Sequence, residues 1–379
     1  MTAHWVPAVF MRGGTSKGVL FREDVLPPAG PVRDALFLTV IGSPDPYGRQ
    51  LDGLGGGISS LSKVISAQSS TRPDADVEFT FGQVAVDKPV VDYSANCGNL
   101  SAAVGPFAVN EGLVQRPADG EITLRIHNTN TNTILHSTFE VRDGTALQTG
   151  DLTIPGVAGS GPSVRLDYLS PGGSSTGALL PTGDPTDSFD IGDTSVTVSC
   201  VDATIPLAIV AADELGLTGS EPIDVLAGNH DLLATLDRIR RQAAVAMGMA
   251  AHAADAALAS PKIAVVGRPA PYHTISGELH DRDSHDLAVR VISMEQVHRA
   301  VPGIGALCLA VAAHIPGTIP HRLAPATAGT ALRVGTPSGV VTAAADVHTA
   351  GETVVAQSAS MYRTARVLMR GEVSVPRTT

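Results

Sequence analysis

Residues 98–105, GNLSAAVG, form a glycine-led run of small, mostly apolar residues. A second run of this kind, GIGALCLAVAA, occupies residues 303–313, about 200 residues further along the chain. Each predicts a short helix, and the pair indicates two topologically related domains, although helices of small residues also resemble one another by chance. Two helix N-termini at a shared cleft would favour a carboxylate-bearing ligand, because free N–H groups and the helix dipole attract negative charge.

Strand-like segments flank both runs, which predicts a fold of the α/β (α+β) class. We expect strands at 5–10, 18–22 and 64–70, a strand pair at 77–87 that turns at Gly82, and further strands at 194–216, 262–267, 287–294, 331–347 and 365–375. The longest helical pattern lies at 223–256, where apolar residues recur at intervals of three and four. The helix after residue 98 must bend or end at Gly105–Pro106, because proline interrupts helical hydrogen bonding.

The length of 379 residues suits two domains of ordinary size. The segment 181–193, PTGDPTDSFDIGD, is rich in Pro, Gly and Asp and is the best candidate for a linker. We therefore predict an N-terminal domain at 1–185, completed by a C-terminal strand at 365–379. The C-terminal domain is predicted at 186–364.

Composition and charge argue against several classes of protein. No apolar run approaches the roughly 20 residues that span a bilayer, and the N-terminus has no signal-peptide pattern. The net charge of −11 disfavours nucleic acid and anionic membranes as partners, while a few local cations can still attract a small anionic substrate. Three scattered cysteines form neither a disulfide framework nor a paired metal site. We expect a cytoplasmic protein; the sequence leaves its oligomeric state open, a homodimer included.

Cys97 and Lys63 are the two candidates for proton transfer. Cys97 directly precedes a predicted helix, whose N-terminus stabilises a thiolate, and Asn96 and Asn99 can donate hydrogen bonds to a substrate carboxylate. Lys63 follows a Gly/Ser-rich loop and precedes an apolar strand, and a desolvated lysine can exchange protons near neutral pH. Both residues also have an ordinary structural interpretation, as a small buried residue and a surface lysine.

Two further motifs admit more than one interpretation. GTSKG at 14–18 matches G-x-S-x-G and would make Ser16 the nucleophile of a serine hydrolase, but that motif requires a helix after the turn. The sequence that follows is strand-like, so a hairpin turn that binds an anion through N–H groups, Ser16 and Lys17 fits better. HDRDSHD at 280–286 could form a metal cluster, although a solvated charged turn is the more ordinary interpretation.

Six segments, in the same order, resemble the PrpF family. They are VPAVFMRGGTSKGVLF, GRQLDGLGGGISSLSKV, NCGNLSAAVGPFAV, GALCLAVAAHIPGT, LRVGTPSGV and ARVLMRGEVSV. This is the family of 2-methylaconitate cis-trans isomerases, which is related to 4-oxalomesaconate tautomerase and methylitaconate isomerase. The resemblance covers nearly the whole chain, and several ordered motifs are more specific than any one of them.

The resemblance implies a diaminopimelate-epimerase-like fold, with two similar domains, each a curved mixed sheet around a central helix, and an active site in the interdomain cleft. It also implies an isomerase of unsaturated di- or tricarboxylic acids that needs no cofactor or metal. Lys63 matches the family's catalytic lysine, and Cys97 matches the cysteine of its NCGN motif. The residues placed to line the substrate site are Gly14, Thr15, Ser16, Lys17, Gln50, Asp52, Ser59, Ser60, Ser62, Asn96, Gly98, Asn99, Leu100, Gly303, Gly305 and Ala306.

The chain departs from the wider superfamily ahead of the second small-residue helix. Two-cysteine epimerases carry a second Cys-Gly motif there, whereas this chain has Pro302 before the glycine. We therefore interpret Lys63 as the principal base and Cys97 as its proton partner or as a close substrate contact. Residues 203–206, ATIP, replace the Asn-Pro that family members usually carry. The individual substrate stays open at this stage, as does a non-catalytic carboxylate-binding protein of the same fold.

Overall fold

The chain forms two compact units. The computed structural model describes residues 3–93, 97–115, 117–192, 194–257, 260–293, 296–299, 301–324, 331–350 and 353–376. The first unit comprises 1–167 and 362–379, and the second unit comprises 168–361. No helix among the described residues is long and apolar enough to cross a membrane.

The compact units divide after Asp167, earlier than the domain boundary after residue 185 that we expected from the sequence. The intervening residues belong to the second unit through backbone hydrogen bonds, such as the one from Gly173 N–H to Asp202 O at 2.8 Å. The expected linker contains a strand, Asp187–Asp190. The segment rich in Pro, Gly and Asp is therefore a hydrogen-bonded part of the second unit and does not link the two units.

In the first unit the strands form a mixed sheet. They are β1 Ala3–Gly13, β2 Ser16–Arg22, β3 Lys63–Ser69, β4 Val77–Val84, β5 Val91–Asp92, β6 Gly120–Asn128, β7 Thr133–Arg142, β8 Thr145–Ala146 and β9 Ser163–Leu169. The α-helices are α1 Pro31–Ile41, α2 Gly98–Ser101 and α3 Val104–Asn110, and 3-10 turns lie at Glu23–Val25 and Ser59–Leu61. β1 and β2 pair antiparallel, β2 and β3 parallel, β3 and β4 antiparallel, β4 and β6 parallel, and β6 and β7 antiparallel.

The main strands of the second unit are also in mixed pairing. Its strands are β10 Asp187–Asp190, β11 Ser195–Ala203, β12 Ile205–Ala211, β13 Lys262–Gly267, β14 Tyr272–His273, β15 Leu279–His280, β16 Leu287–Ser293, β17 Gln296–Val297, β18 Ala331–Thr336, β19 Gly339–Ala350 and the first part of β20 Thr353–Pro376. Its α-helices are α4 Ile223–Ala227, α5 His230–Ala246, α6 Gly303–Ala313 and α7 Ile319–Leu323, with 3-10 turns at Asp213–Leu215, Ala253–Asp255 and Arg282–Ser284. Among the described residues, β14 and β15 pair only with each other. The last part of β20 pairs with β1 in the first unit.

The pairing order of the second unit repeats that of the first. β11 and β12 pair antiparallel, β12 and β13 parallel, β13 and β16 antiparallel, β16 and β18 parallel, and β18 and β19 antiparallel. Helices α1 and α5 occupy the first parallel crossover of each unit, whereas α2–α3 and α6 occupy the second. The two units are therefore similar in topology, as the paired small-residue runs predict.

Opposite faces of the first unit's sheet contact different helices. Phe37 of α1 packs in one hydrophobic cluster with Val19 of β2 and Val64 of β3. Because successive side chains of a strand point to opposite faces, Lys63 points to the other face, on the side of α2 and α3. Gly18, which is next to Lys63 in the pairing of β2 and β3, lies on that same face. Both faces of the sheet are therefore buried, and the face toward α2 and α3 carries Ser16 and Lys63 as well as the apolar Leu20 and Ile65.

Two local predictions were wrong. Gly82 does not make a turn, because β4 continues through it; a Cβ there would lie 2.8 Å from Val64 Cγ2 and 2.9 Å from Val91 Cγ1, so the neighbouring strands require a glycine. The helix after Cys97 is interrupted at residues 102–103, before Gly105–Pro106. The proline lies in the first turn of α3, where its missing N–H costs little.

Candidate active site

The β1–β2 hairpin places Ser16 directly after its turn. Gly14 and Thr15 form the turn, Gly14 has a left-handed φ of 52°, and its N–H donates to Thr364 O at 2.9 Å. A Cβ at Gly14 would collide with the side chain of Asn99, so both conformation and close approach require glycine. Ser16 begins a strand, so the helix that a nucleophile elbow requires does not follow the turn.

Cys97 is the N-cap residue of α2. Its Sγ accepts a hydrogen bond from Leu100 N–H at 3.5 Å, and its thiol donates to Ser16 Oγ at 3.8 Å. Cys97 is partly exposed, whereas Cys200 and Cys308 are buried. Burial raises the pKa of both buried thiols, which keeps them protonated at neutral pH. Of the three cysteines, Cys97 is therefore the one placed to exchange a proton with a ligand.

Lys63 is the first residue of β3 and is only 6% exposed. Its Nζ donates to Gln83 Oε1 at 2.6 Å and lies 4.9 Å from the centre of the Phe81 ring. Gln83 is fixed in turn, because its Nε2 donates to the backbone oxygens of Ser59 (3.0 Å) and Ser62 (2.9 Å). None of the ion pairs in the described part of the chain includes Lys63. Its amino group is therefore held by a neutral amide and an aromatic face.

The register of β2 and β3 places Ser16 and Lys63 on one face of the sheet. Val19 is aligned with Val64 in the parallel pair, and both belong to the cluster on the α1 side. Alternation turns Ser16 and Lys63 to the opposite face. A Cβ at Gly18, which lies between them, would be 2.6 Å from Lys63 O, so glycine lets the strands approach closely. Ser16, the thiol beside it and the lysine thus share one side of the first unit.

Two predicted substrate-binding residues are not brought to this face. Lys17 follows Ser16 in β2 and points to the opposite side, where its Nζ lies 5.2 Å from the centre of the Phe10 ring. Asp52 is exposed and lines a groove of about 460 Å³ that is formed entirely by residues between 39 and 52. The groove is separate from the face that carries the lysine and the thiol.

Gln50 organises the loop that leads to β3. Its buried amide donates from Nε2 to Ser43 Oγ at 2.7 Å and accepts at Oε1 from Ser62 Oγ at 2.7 Å. Both ends of the amide are engaged within the loop, so Gln50 and Ser62 fix its shape. The side chains of Ser59 and Ser60 form no hydrogen bond with any described residue, which leaves their hydroxyls able to meet a ligand.

Asn99 connects α2 to the hairpin turn and to a buried arginine. Its Nδ2 donates to Thr15 Oγ1 at 3.0 Å, and its Oδ1 accepts from Arg363 Nε at 3.1 Å. Arg12 lies at the same turn, and burial, together with the nearby charge of Arg366, lowers the pKa of its guanidinium. Positive charge therefore collects at this end of the first unit, in a chain whose net charge is −11.

The remaining predicted residues belong to different parts of the chain. Gly98 and Leu100 are buried residues of α2, and Asn96 lies outside the described residues. Gly303, Gly305 and Ala306 are buried in the first turns of α6, in the second unit.

The acidic, histidine-rich segment 280–286 makes structural contacts. The buried Asp286 accepts hydrogen bonds from Arg333 Nη2 and Arg333 N–H, each at 2.7 Å, and burial lowers the pKa of His285. In the described residues, no group of three or more His, Cys, Asp and Glu side chains could hold a metal ion.

A family model described as PrpF protein matches residues 3–376. The chain belongs to the PrpF family. It is 40% identical to the 2-methyl-aconitate isomerase of Shewanella oneidensis, with 98% of this chain and 97% of that protein covered. It is also 40% identical to the 3-methylitaconate isomerase of Eubacterium barkeri, with the same coverage. The 4-oxalomesaconate tautomerase of Pseudomonas putida is 36% identical over 99% of this chain and 97% of that protein.

Solved structures agree with this assignment. The crystal structure of methylitaconate-delta-isomerase is similar with a TM-score of 0.90 and 39% identity, covering 99% of this chain and 96% of that one. A probable proline racemase from Agrobacterium radiobacter, at 12% identity and a TM-score of 0.53, shows likeness of fold alone. The PrpF-family chain therefore has a sheet-dominated α+β fold of the racemase and epimerase type, which confirms the predicted class. Like its named relatives, it is an isomerase.

The sequence did not predict two residues that contact the candidate site residues, Gln83 and Arg363. Gln83 was missed because a turn was predicted at Gly82. β4 continues through that glycine, and its antiparallel register with β3 places Gln83 opposite Lys63. Arg363 is 264 positions away from Asn99 in the chain, so no local pattern links them.

Proposed function

We propose that this chain isomerises an unsaturated di- or tricarboxylic acid by removing a proton from carbon and returning it. Relatives named for 2-methyl-aconitate, 3-methylitaconate and 4-oxalomesaconate support this class of substrate. The observation that carries the proposal is the environment of Lys63, whose buried amino group is held by Gln83 and Phe81. A base in such a position is fixed in direction and shielded from bulk water.

An anionic substrate fits the charges of the first unit. The ammonium that Lys63 becomes when it accepts a proton is costly to bury without a counter-ion, and a bound carboxylate reduces that cost. Arg12 and Arg363 add positive charge near the hairpin turn, which Asn99 contacts through Thr15. Local cations of this kind attract a small polyanion even when the whole chain is acidic.

In the proposed reaction the Lys63 amine accepts a proton from a carbon whose C–H bond is activated by conjugation with a carboxylate. The electron pair of that bond moves into the conjugated system, which becomes a dienolate. Another carbon then receives a proton, either from the ammonium itself or from the Cys97 thiol, whose thiolate takes up the proton of the ammonium, so the double bond shifts and the enzyme is restored. If rotation precedes the return of the proton, the product is the cis-trans isomer. Gln83 Oε1 can accept a hydrogen bond from the amine or the ammonium, so Nζ keeps its place.

Cys97 acts in this proposal as the proton partner of Lys63. Its thiol is already hydrogen-bonded to Ser16, which can fix the direction of the S–H group. The N–H groups and hydroxyls of residues 14–16, together with Ser59 and Ser60, would hold the substrate carboxylates and the developing negative charge. The other predicted lining residues, in both units, stay predictions.

The test is to screen unsaturated di- and tricarboxylic acids for turnover by ultraviolet absorbance and to follow the active ones by NMR in heavy water. We expect solvent deuterium in the product or in recovered substrate. Lys63→Ala should lower kcat by about 10²–10⁴-fold, the usual contribution of a general base. Lys88→Ala, at an exposed turn, is the matched control and should stay near wild type. Full activity of Lys63→Ala would contradict the assigned base, whereas turnover of none of these acids would contradict the function.

A further inference from the structure

The second unit contains a cavity of about 300 Å³ beside a buried arginine. It is lined by Glu221, Pro222, Ile223, Asp224, His273, Thr274, Ile275, Arg290, Arg299 and Pro337. Arg290 is 1% exposed and is among the largest fully buried side chains of the described residues. None of these lining residues has a role in the proposed isomerisation.

Arg290 is held firmly at three points but keeps hydrogen-bonding capacity. Its Nε donates to Glu221 O at 2.7 Å, its Nη1 donates to Val289 O at 2.9 Å, and its guanidinium carbon lies 5.6 Å from the centre of the Tyr272 ring. No described residue accepts a hydrogen bond from Nη2. A guanidinium fixed in this way presents its remaining donors without further loss of side-chain freedom.

The nearby Glu221 carboxylate favours the charged form of Arg290, but no acidic side chain of the described residues lies at ion-pair distance from it. None of the ion pairs in the described residues includes it, and the Glu221 carboxylate accepts its own hydrogen bonds from Thr218 and from Gly219 N–H. Tyr272 stays a neutral phenol, because burial raises its pKa to about 12. Burial lowers the pKa of Arg290 to about 10, which still leaves it protonated at neutral pH.

The rim of the cavity carries charges of both signs. Arg299, His273 and Asp224 are exposed there. The arginine and a protonated histidine would attract an anion at the cavity, whereas Asp224 and the partly buried Glu221 would repel it. If the cavity binds an anion, removing the rim arginine should lower the affinity and removing the rim aspartate should raise it.

We propose that this cavity is a binding site for a small oxyanion, either a carboxylate or a phosphate, with Arg290 at its base and Arg299 at its rim. A buried guanidinium is the protein group best suited to pair with such an anion. The volume lies at the lower end of ligand pockets, which fits a phosphate or a short dicarboxylate. The inference does not depend on the proposed isomerase mechanism.

The experiment titrates the full-length protein with inorganic phosphate and, separately, with succinate by isothermal calorimetry. It uses the Lys63→Ala background, which weakens anion binding at the proposed isomerisation site, and the variants below assign the remaining signal to one site or the other. We expect one of the two anions to bind. Binding of phosphate would indicate a phosphate ligand, and binding of succinate would indicate a carboxylate ligand. Absence of binding by both at millimolar concentrations would overturn the proposal.

Three variants localise the site. Arg290→Gln should weaken binding by about 30-fold or more, the usual cost of removing one partner of a buried charge pair. Arg299→Gln should weaken it by about 2- to 5-fold, and Asp224→Asn should strengthen it by about 2-fold, since exposed charges act modestly. If Arg290→Gln fails to fold, the opposite changes in affinity expected for Arg299→Gln and Asp224→Asn still test the site. Unchanged affinity in both rim variants would place the anion elsewhere and refute the site.

Discussion

The helical segment α2–α3 of the first unit and helix α6 of the second unit occupy the same place in the strand order, yet their chemistry differs. The first segment is capped by Cys97, whose Sγ accepts the Leu100 N–H, and it is interrupted after four residues. α6 runs for eleven residues without interruption, and nine of them are buried, the same number as in α2 and α3 together. Both copies of the repeated element therefore form core, and the first also has the thiol of Cys97 at its start.

The difference extends to the residues before each helix. In the first unit the thiol of Cys97 meets the hydroxyl of Ser16. In the second unit Pro302 precedes α6 and offers no side-chain cap, and the Thr204 hydroxyl donates to Ile304 O at 2.8 Å. A duplicated fold thus supplies two similar scaffolds, and chemistry depends on which polar groups each retains near the helix start.

The largest effect should come from replacing each of the two cysteines of this comparison, Cys97 and Cys308, by alanine in separate variants. Cys97→Ala removes the proposed proton partner and should lower kcat/KM by about 10²–10⁴-fold, with little change in the melting temperature. Cys308→Ala removes a buried side chain of α6 and should cost about 1–2 kcal/mol of stability while leaving kcat unchanged. Steady-state kinetics and thermal unfolding of both variants provide the test. Equal losses of activity in the two variants would contradict the claim that Cys97 takes part in the reaction and Cys308 does not.

The sequence predicted the parts of this comparison that depend on local pattern. The glycine-led runs marked both helices, and the family motifs marked Lys63 and Cys97. The partners of the lysine could not be predicted, because Gln83 reaches it through strand register and strand register depends on whether Gly82 turns. The contact between Asn99 and Arg363 depends on how the C-terminal strand returns to the first unit, which no local pattern encodes.

A second prediction concerns the lysine side of the site, at the start of β3. Gln83→Glu places a carboxylate beside Lys63 Nζ, now 2.6 Å from a neutral amide oxygen. The negative charge stabilises the ammonium over the free amine, so the activity should rise only at higher pH and kcat at neutral pH should fall by about 10-fold. Gln83→Ala should lose activity without that displacement of the pH profile. An unchanged profile for Gln83→Glu would show that the amide does not hold the base.

The smallest effects should separate the two helices by their glycines. A Cβ at Gly105 of α3 would lie 2.6 Å from Phe139 Cε1 and 2.7 Å from Ser137 Oγ, both on β7, whereas a Cβ at Gly305 of α6 would meet nothing closer than 3.7 Å. Gly105→Ala should therefore destabilise the protein by about 1–3 kcal/mol through overpacking. Gly305→Ala should stabilise it by about 0.5–1 kcal/mol, because alanine is the better helix former. Chemical denaturation of both variants measures the difference. Similar destabilisation by both would mean that the starts of α3 and α6 are equally constrained, with close packing against the strands at each.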